Sequence, residues 1–210
     1  MKTIAIVGGG FCGTITAVNL VRLSREPLQV RLINDGVPTG RGIAYVPRRS
    51  EHLLNVVARN MSALSDQPNH FVDWLRWRRE FADLPDAVLR ETFVPRRTYG
   101  DYLANLLHWF TSNDAGRTHV RVERIQGRAV DVLTRADGGD VVLADGGIVS
   151  ADRVLLATGN LPPAEITDDG RPFEHPSYFP NPWDGWDERL PENRDASVVL
   201  LGTGLTMIDA

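Results

Sequence analysis

The sequence predicts an α/β fold: a parallel sheet with helices and a small antiparallel β-meander. Three observations predict it. Near the N-terminus an apolar run, Ile4-Ala5-Ile6-Val7, meets a glycine loop, a helical stretch and a second apolar run, which is the order of a βαβ unit. Between 120 and 158, apolar residues alternate with polar ones around two Asp-Gly-Gly turns, the period and punctuation of hairpins. A second glycine motif, Gly202-Thr203-Gly204, follows the apolar run Val198-Val199-Leu200-Leu201.

Thr3 to Val7 reads as a buried parallel strand: short, apolar, β-branched and ended by glycine. The following helix runs to about Leu23, with Ile15, Val18, Leu20, Val21 and Leu23 as its apolar stripe, and Pro27 closes the stretch. Leu28 to Ile33 is the second strand, reached by a crossover that is right-handed by default. Val37 to Asp66 has no period. Its interspersed Leu, Val, Tyr and Met residues argue for a packed, functional irregular segment rather than disorder.

Two helices are expected next. Phe71, Trp74, Leu75, Trp77 and Phe81 read as the core face of the first. The second starts at a possible capping box, Thr98-Tyr99-Gly100-Asp101, and buries Tyr102, Leu103, Leu106, Leu107 and Phe110. Strands follow at Val120–Val122 and Val130–Val132. The turn Asp137-Gly138-Gly139, Val141 to Leu143, the turn Asp145-Gly146-Gly147 and Ile148-Val149 complete the meander. Val154 to Ala157 is another buried parallel strand, ending in Thr158-Gly159. The proline-rich stretch from Asn160 to Asp195, with Trp183 and Trp186, reads as a crossover between domains. The expected organisation is a nucleotide-binding domain over 1–160, a crossover over 161–196 and the start of a truncated second nucleotide domain over 197–210.

Composition narrows the function. With 42% hydrophobic and 24% charged residues, the 210-residue chain has the make-up of an ordinary globular protein. A net charge of −4 gives no broad basic surface for nucleic acid or anionic lipid. The single cysteine, Cys12, excludes an internal disulfide and a CxxC redox pair, and fits a reducing compartment. No signal-peptide pattern and no apolar run long enough for a bilayer is present, so a cytoplasmic location is expected. No catalytic triad, metal cluster or paired-carboxylate signature stands out, so no catalytic residue is assigned.

The glycines carry the chemistry. Gly8 permits a tight turn out of the strand, Gly10 lets backbone approach a pyrophosphate, and Gly13 allows close helix–strand packing. Phe11 and Cys12 lie within the same loop. Cys12 reads as a small residue at a helix start rather than a reactive thiolate. The helix N-terminus offers N–H groups to phosphates. The pattern is that of a Rossmann-like dinucleotide site. A ribose-binding acid is expected about 20 residues on. The chain reads Asn34-Asp35 there: Asn34 can accept from a ribose hydroxyl, Asp35 can do so after a one-residue adjustment, or Asp35 is a plain turn residue. Two such motifs in one chain suggest two facing nucleotides, as a flavin and a nicotinamide face each other to exchange a hydride.

With the GGGFCG loop, Gly40-Arg41-Gly42-Ile43-Ala44-Tyr45, His52-Leu53-Leu54-Asn55-Val56 and Ala157-Thr158-Gly159 in place, the chain resembles the FAD/NAD(P)-binding flavoproteins with two dinucleotide domains. Within them it resembles the branch of FAD-dependent urate hydroxylase and amino-acid N-monooxygenases. The resemblance covers nearly the whole chain. It implies FAD and NAD(P)H as cofactors and a small polar substrate hydroxylated through a flavin hydroperoxide. It implies that Gly8, Gly10 and Gly13 hold the FAD pyrophosphate and that Asn34 or Asp35 holds the ribose. Arg41 and Gly42 would lie along the phosphate-to-flavin stretch, Asn55, Val56 and Met61 near the flavin, and Val130 beside the adenine. Thr158 and Gly159 would mark the chain's return past FAD, and Gly202, Gly204 and Thr206 the start of the NAD(P) site. Met207 stands where a third glycine would fall. Arg41 reads equally as a phosphate ligand or a loop arginine. The alternatives are a truncated FAD-binding module without turnover, and a dehydrogenase using NAD at the first motif alone.

Overall fold

The computed structural model describes residues 1–36, 38–46, 50–112, 119–160, 166–168, 171–181 and 197–202. The chain divides into two compact units, Met1–Gly159 and Asn160–Ala210. In the first, β1 (Lys2–Val7), α1 (Phe11–Leu23) and β2 (Leu28–Asn34) form the expected βαβ unit. Then come α2 (His70–Arg76), α3 (Asp86–Arg90), α4 (Arg96–Thr111), β3 (Val120–Gln126), β4 (Ala129–Arg135), β5 (Gly138–Leu143), β6 (Ile148–Ala151) and β7 (Arg153–Leu156).

Four strands make a parallel sheet in the order β3-β2-β1-β7. Its central strands β1 and β2 alternate side chains between two covered faces, while the expected buried strand β7 leaves Leu155 and Leu156 exposed at the sheet edge. Ile4, Ile6, Leu28, Val30, Leu32, Val120 and Val122 meet Ala17, Val18 and Val21 of α1 and Leu106 and Leu107 of α4. Ala5, Val7, Ile33, Ile125 and Val154 meet Val141, Leu143, Val149 and Ala151. The antiparallel sheet β4-β5-β6 therefore lies over the face opposite the helices. Burial on both faces explains why β1 reads as a continuous apolar run. Each fully buried Leu or Ile there contributes roughly 1.5–3 kcal/mol.

Several expectations are corrected. Val120–Gln126 belongs to the parallel sheet beside β2, not to the meander. The first helix stops at Arg76. Tight turns follow, with Arg78 N–H donating to Leu75 O and Phe81 N–H to Arg78 O. They fold Phe81 back into the core but leave Trp77 90% exposed. A short helix, α3, starts after Pro85. Helix α4 begins two residues before Thr98. The amides of Thr98 and Tyr99 both donate to Pro95 O, and Arg96 N–H is tied to His52 O. Thr98, 2% exposed, is thus an interior helix residue and not a cap. In the second unit, Thr167–Asp168 pairs with Arg171–Pro172, and the Phe173 and Tyr178 rings meet edge to face at 5.3 Å. Val198–Leu201 forms no strand, and Val199 is 80% exposed. An apolar run becomes a strand only with a partner to complete its hydrogen bonds.

The helices enclose a second core of Leu54, Phe71, Val72, Leu75, Tyr99, Tyr102 and Leu103. At its edge His70 Nδ1 and the Tyr102 hydroxyl share a 2.9 Å hydrogen bond. Burial lowers the His70 pKa from 6.5, so the folded chain holds the ring neutral. The unfolded chain takes up that proton first as pH falls. Stability is therefore full above about pH 6.5 and declines as pH drops through the lower folded value. The urea midpoint should fall between pH 7 and pH 5, and His70→Gln should flatten that slope. Asp66, whose pKa is lowered by its hydrogen bond from Arg22, acts only in the more acid range below 3.8.

Candidate functional site

Strand order decides where a ligand can sit. The chain passes from β1 outward to β2 and β3, then returns through the meander to β7 on the other side of β1. Ligands of open α/β sheets bind beyond the carboxyl ends of the strands where the order reverses. That point lies between β1 and β7. The loops there are Gly8–Gly10 after β1 and Ala157–Gly159 after β7.

The loop after β1 is built from close approaches. Gly8 has φ +107°, donates its N–H to Ile33 O at 2.9 Å, and lies so near Ala157 O that no Cβ fits. Gly13, in the first turn of α1, lies against Gly8 O and likewise has no room for a side chain. Gly9 donates to Asn34 Oδ1 at 2.9 Å and accepts from Gly40 N–H at 2.8 Å and from Thr14 Oγ1 at 3.2 Å. Thr14 N–H closes the first helical bond on Gly10 O. The amides of Phe11, Cys12 and Gly13 precede it, so they have no acceptor within the helix.

Gly10 differs from its neighbours. Its φ of −73° suits any residue, and among the described residues a Cβ there would meet only Gly42 Cα, at 3.5 Å. The chain itself does not demand glycine at this position. The open cradle beside the first amides of α1 does, if a phosphate is to lie against it. The residues present therefore fit a dinucleotide pyrophosphate.

The Gly40–Gly42 segment crosses this loop. Gly42 has φ +59°, and a Cβ on it would lie 3.0 Å from Gly10 Cα. Between the two glycines, Arg41 forms an ion pair with Asp101 of α4, which also faces Arg78 at 3.5 Å. Phe11 stacks on Tyr99 with ring centroids 6.4 Å apart, and Tyr99 meets Tyr45 at 4.8 Å. Burial raises the phenols of Tyr45, Tyr99 and Tyr102 above the ordinary 10.0. At neutral pH they are hydroxyl donors, not bases.

Gly8, Gly10, Phe11, Cys12, Gly13, Asn34, Arg41 and Gly42 are thus brought into one neighbourhood. Asp35 is exposed beside it. Thr158 and Gly159 lie exposed in the loop after β7, Gly159 with φ +76°. Asn55 and Val56 are exposed, and Met61 packs on the helical core. Val130 is 58% exposed at an irregularity where the β4–β5 register shifts. Gly202 has φ +117°. Gly204 and Thr206 lie outside the described residues. Sequence reasoning missed the Asn34–Gly9 bond, the Asp101 partner of Arg41, and the Tyr45 and Tyr99 wall. Only the Tyr99-Gly100 pair, a glycine inside a helix, hinted that another segment comes close there.

A family described as FAD-NAD(P)-binding matches residues 5–161. Among solved structures, the open and closed forms of cyclohexanone monooxygenase are each 18% identical with a TM-score of 0.50. The alignments cover 80% of this chain and 29% and 28% of theirs. A flavin monooxygenase from Stenotrophomonas maltophilia is 17% identical with a TM-score of 0.46, over 74% of this chain and 38% of its own. The chain thus spans about a third of the length of these structures, and the likeness to cyclohexanone monooxygenase is one of fold. No curated protein matches its sequence. No helix among the described residues is long and apolar enough to cross a membrane. By the family match over residues 5–161, the chain belongs to the FAD-NAD(P)-binding family.

Proposed function

We propose that the chain is the FAD-binding part of an NAD(P)H-using flavin oxidoreductase. We read it more narrowly as a monooxygenase of the urate hydroxylase and amino-acid N-monooxygenase branch, acting on a small polar substrate. The observation that carries the FAD reading is the Gly10 cradle: a position that no described residue forces to be glycine, at the strand-order reversal and beside helix amides that have no acceptor within α1. Bound FAD would supply the redox chemistry, passing electrons from the nicotinamide to oxygen. The chain's own residues bind and orient. The amides of Phe11, Cys12 and Gly13 would hold the pyrophosphate, with Gly8 shaping the turn. Asn34 or Asp35 would hold the ribose, and Arg41 with Gly42 would lie along the phosphate-to-flavin stretch. Asn55, Val56 and Met61 are assigned to the flavin end, Val130 to the adenine, Thr158 and Gly159 to the return past FAD, and Gly202, Gly204 and Thr206 to the nicotinamide nucleotide.

A second reading is an FAD-binding module without turnover. The visible spectrum of the purified chain, with FAD added, before and after anaerobic NADPH and NADH, separates the two. A flavin spectrum bleached by a nicotinamide is expected for the oxidoreductase. A flavin spectrum indifferent to both would favour the module. No bound flavin after reconstitution would sink the FAD assignment.

A further inference from the structure

We infer that Asn34 is a positioning residue of the glycine loop: it holds the Gly8–Gly9 peptide while Gly40 and Thr14 hold the next one, so that the amides after it face the pyrophosphate site. This rests on the FAD reading for its consequence, but not for its geometry. Gly9 sits between two peptide groups, and both are fixed. The peptide joining Gly8 to Gly9 is held by its N–H, which donates to Asn34 Oδ1 at 2.9 Å. The peptide joining Gly9 to Gly10 is held by its carbonyl, which accepts from Gly40 N–H at 2.8 Å and Thr14 Oγ1 at 3.2 Å. A trans peptide points its N–H opposite its carbonyl. Fixing Gly9 O toward Gly40 and Thr14 therefore turns the Gly10 N–H the other way.

Asn34 is well placed to hold this arrangement. It is the last residue of β2, and its own carbonyl accepts from Gly127 N–H at 3.0 Å, so its side chain starts from an anchored backbone. The carboxamide fills the space that Gly9 leaves empty: a Cβ on Gly9 would come within 2.7 Å of Asn34 Cγ. An amide also does this without charge. A carboxylate could accept the same N–H but would set a negative charge beside a phosphate site.

The test is hydrogen exchange of the Gly9 amide by NMR in the ligand-free chain, with Asn34→Leu and Asn34→Asp. In Asn34→Leu the Gly9 amide should exchange at least tenfold faster while the β1 and α1 amides keep their protection, and Asn34→Asp should restore the protection. An unchanged Gly9 rate in Asn34→Leu, or lost protection in both variants, overturns the lock. FAD titration by flavin fluorescence then tests the consequence. Asn34→Leu should bind about tenfold more weakly, and wild-type affinity in Asn34→Leu overturns the positioning role. A wild-type chain that binds no FAD would defeat the FAD reading, while the exchange rates would still decide the lock.

Discussion

Replacing Gly10 by alanine should weaken FAD binding at least a hundredfold and leave the fold intact. The reason is the difference between what the chain needs and what a ligand needs. Gly10 has an extended backbone with φ −73° and ψ −163°, which alanine adopts without strain. The added methyl would meet Gly42 Cα at 3.5 Å, an ordinary contact distance. As an N-cap, alanine is poorer than glycine, which costs under about 1 kcal/mol. The thermal midpoint should therefore move by no more than roughly 4 °C for a unit of this size. The methyl does, however, occupy the space where a pyrophosphate must approach the helix amides. A hundredfold loss corresponds to about 2.7 kcal/mol, a reasonable cost for moving charged phosphates away from backbone donors. Flavin fluorescence quenching and a thermal melt on the same sample check both halves. Wild-type affinity in Gly10→Ala would mean the pyrophosphate lies elsewhere.

Gly13→Ala, three residues on, should do the opposite: it should damage the fold itself. Gly13 faces β1 from the first turn of α1, and its missing Cβ would fall on the Gly8 carbonyl oxygen, with Ile6 Cγ2 a further 3.3 Å neighbour. The first obstacle is backbone that β1 and the Gly8–Ile33 hydrogen bond hold in place. Relief requires α1 to move off the sheet, which opens the packing of Ala17, Val18 and Val21 against Ile6 and Val30. Overpacking of this kind costs about 3 kcal/mol, or roughly 6–12 °C in thermal midpoint. A melt of the ligand-free chain measures it. An unshifted midpoint would show that the helix seats elsewhere on the sheet. Comparing the two variants separates a glycine needed by the ligand from one needed by the protein.

Much of the fold was legible because its signals are local and redundant. The run from Thr3 to Val7, the glycines after it and the periodic stretch to Leu23 each point to the same βαβ unit. The two Asp-Gly-Gly turns marked the meander because their strands pair with sequence neighbours. Strand β3 was misplaced for the converse reason. Val120 and Val122 alternate like any half-buried strand, and periodicity says which face is apolar, not which strand lies alongside. Its partner, Leu28–Asn34, is far away in sequence, and parallel pairing leaves no turn signature between them. Trp77 looked like core because it shares an aromatic stretch with Phe71 and Trp74. The helix ends before it, so the stripe loses its register. The ion pair of Arg41 with Asp101 left no signal, because either residue alone reads as an ordinary surface charge.

The amino-acid sequence by itself determined the class of fold, the glycine loop and the nucleotide chemistry that such a loop serves. These follow from short-range sterics: which residues turn, which continue a helix and which leave backbone amides exposed. Only the tertiary structure decided which glycine answers to the protein and which to a ligand, and that the amide at position 34 bonds Gly9. It also decided that an acid on α4 holds Arg41. Those facts depend on distances between segments brought together by burying both faces of one sheet, and no spacing along the chain encodes such distances.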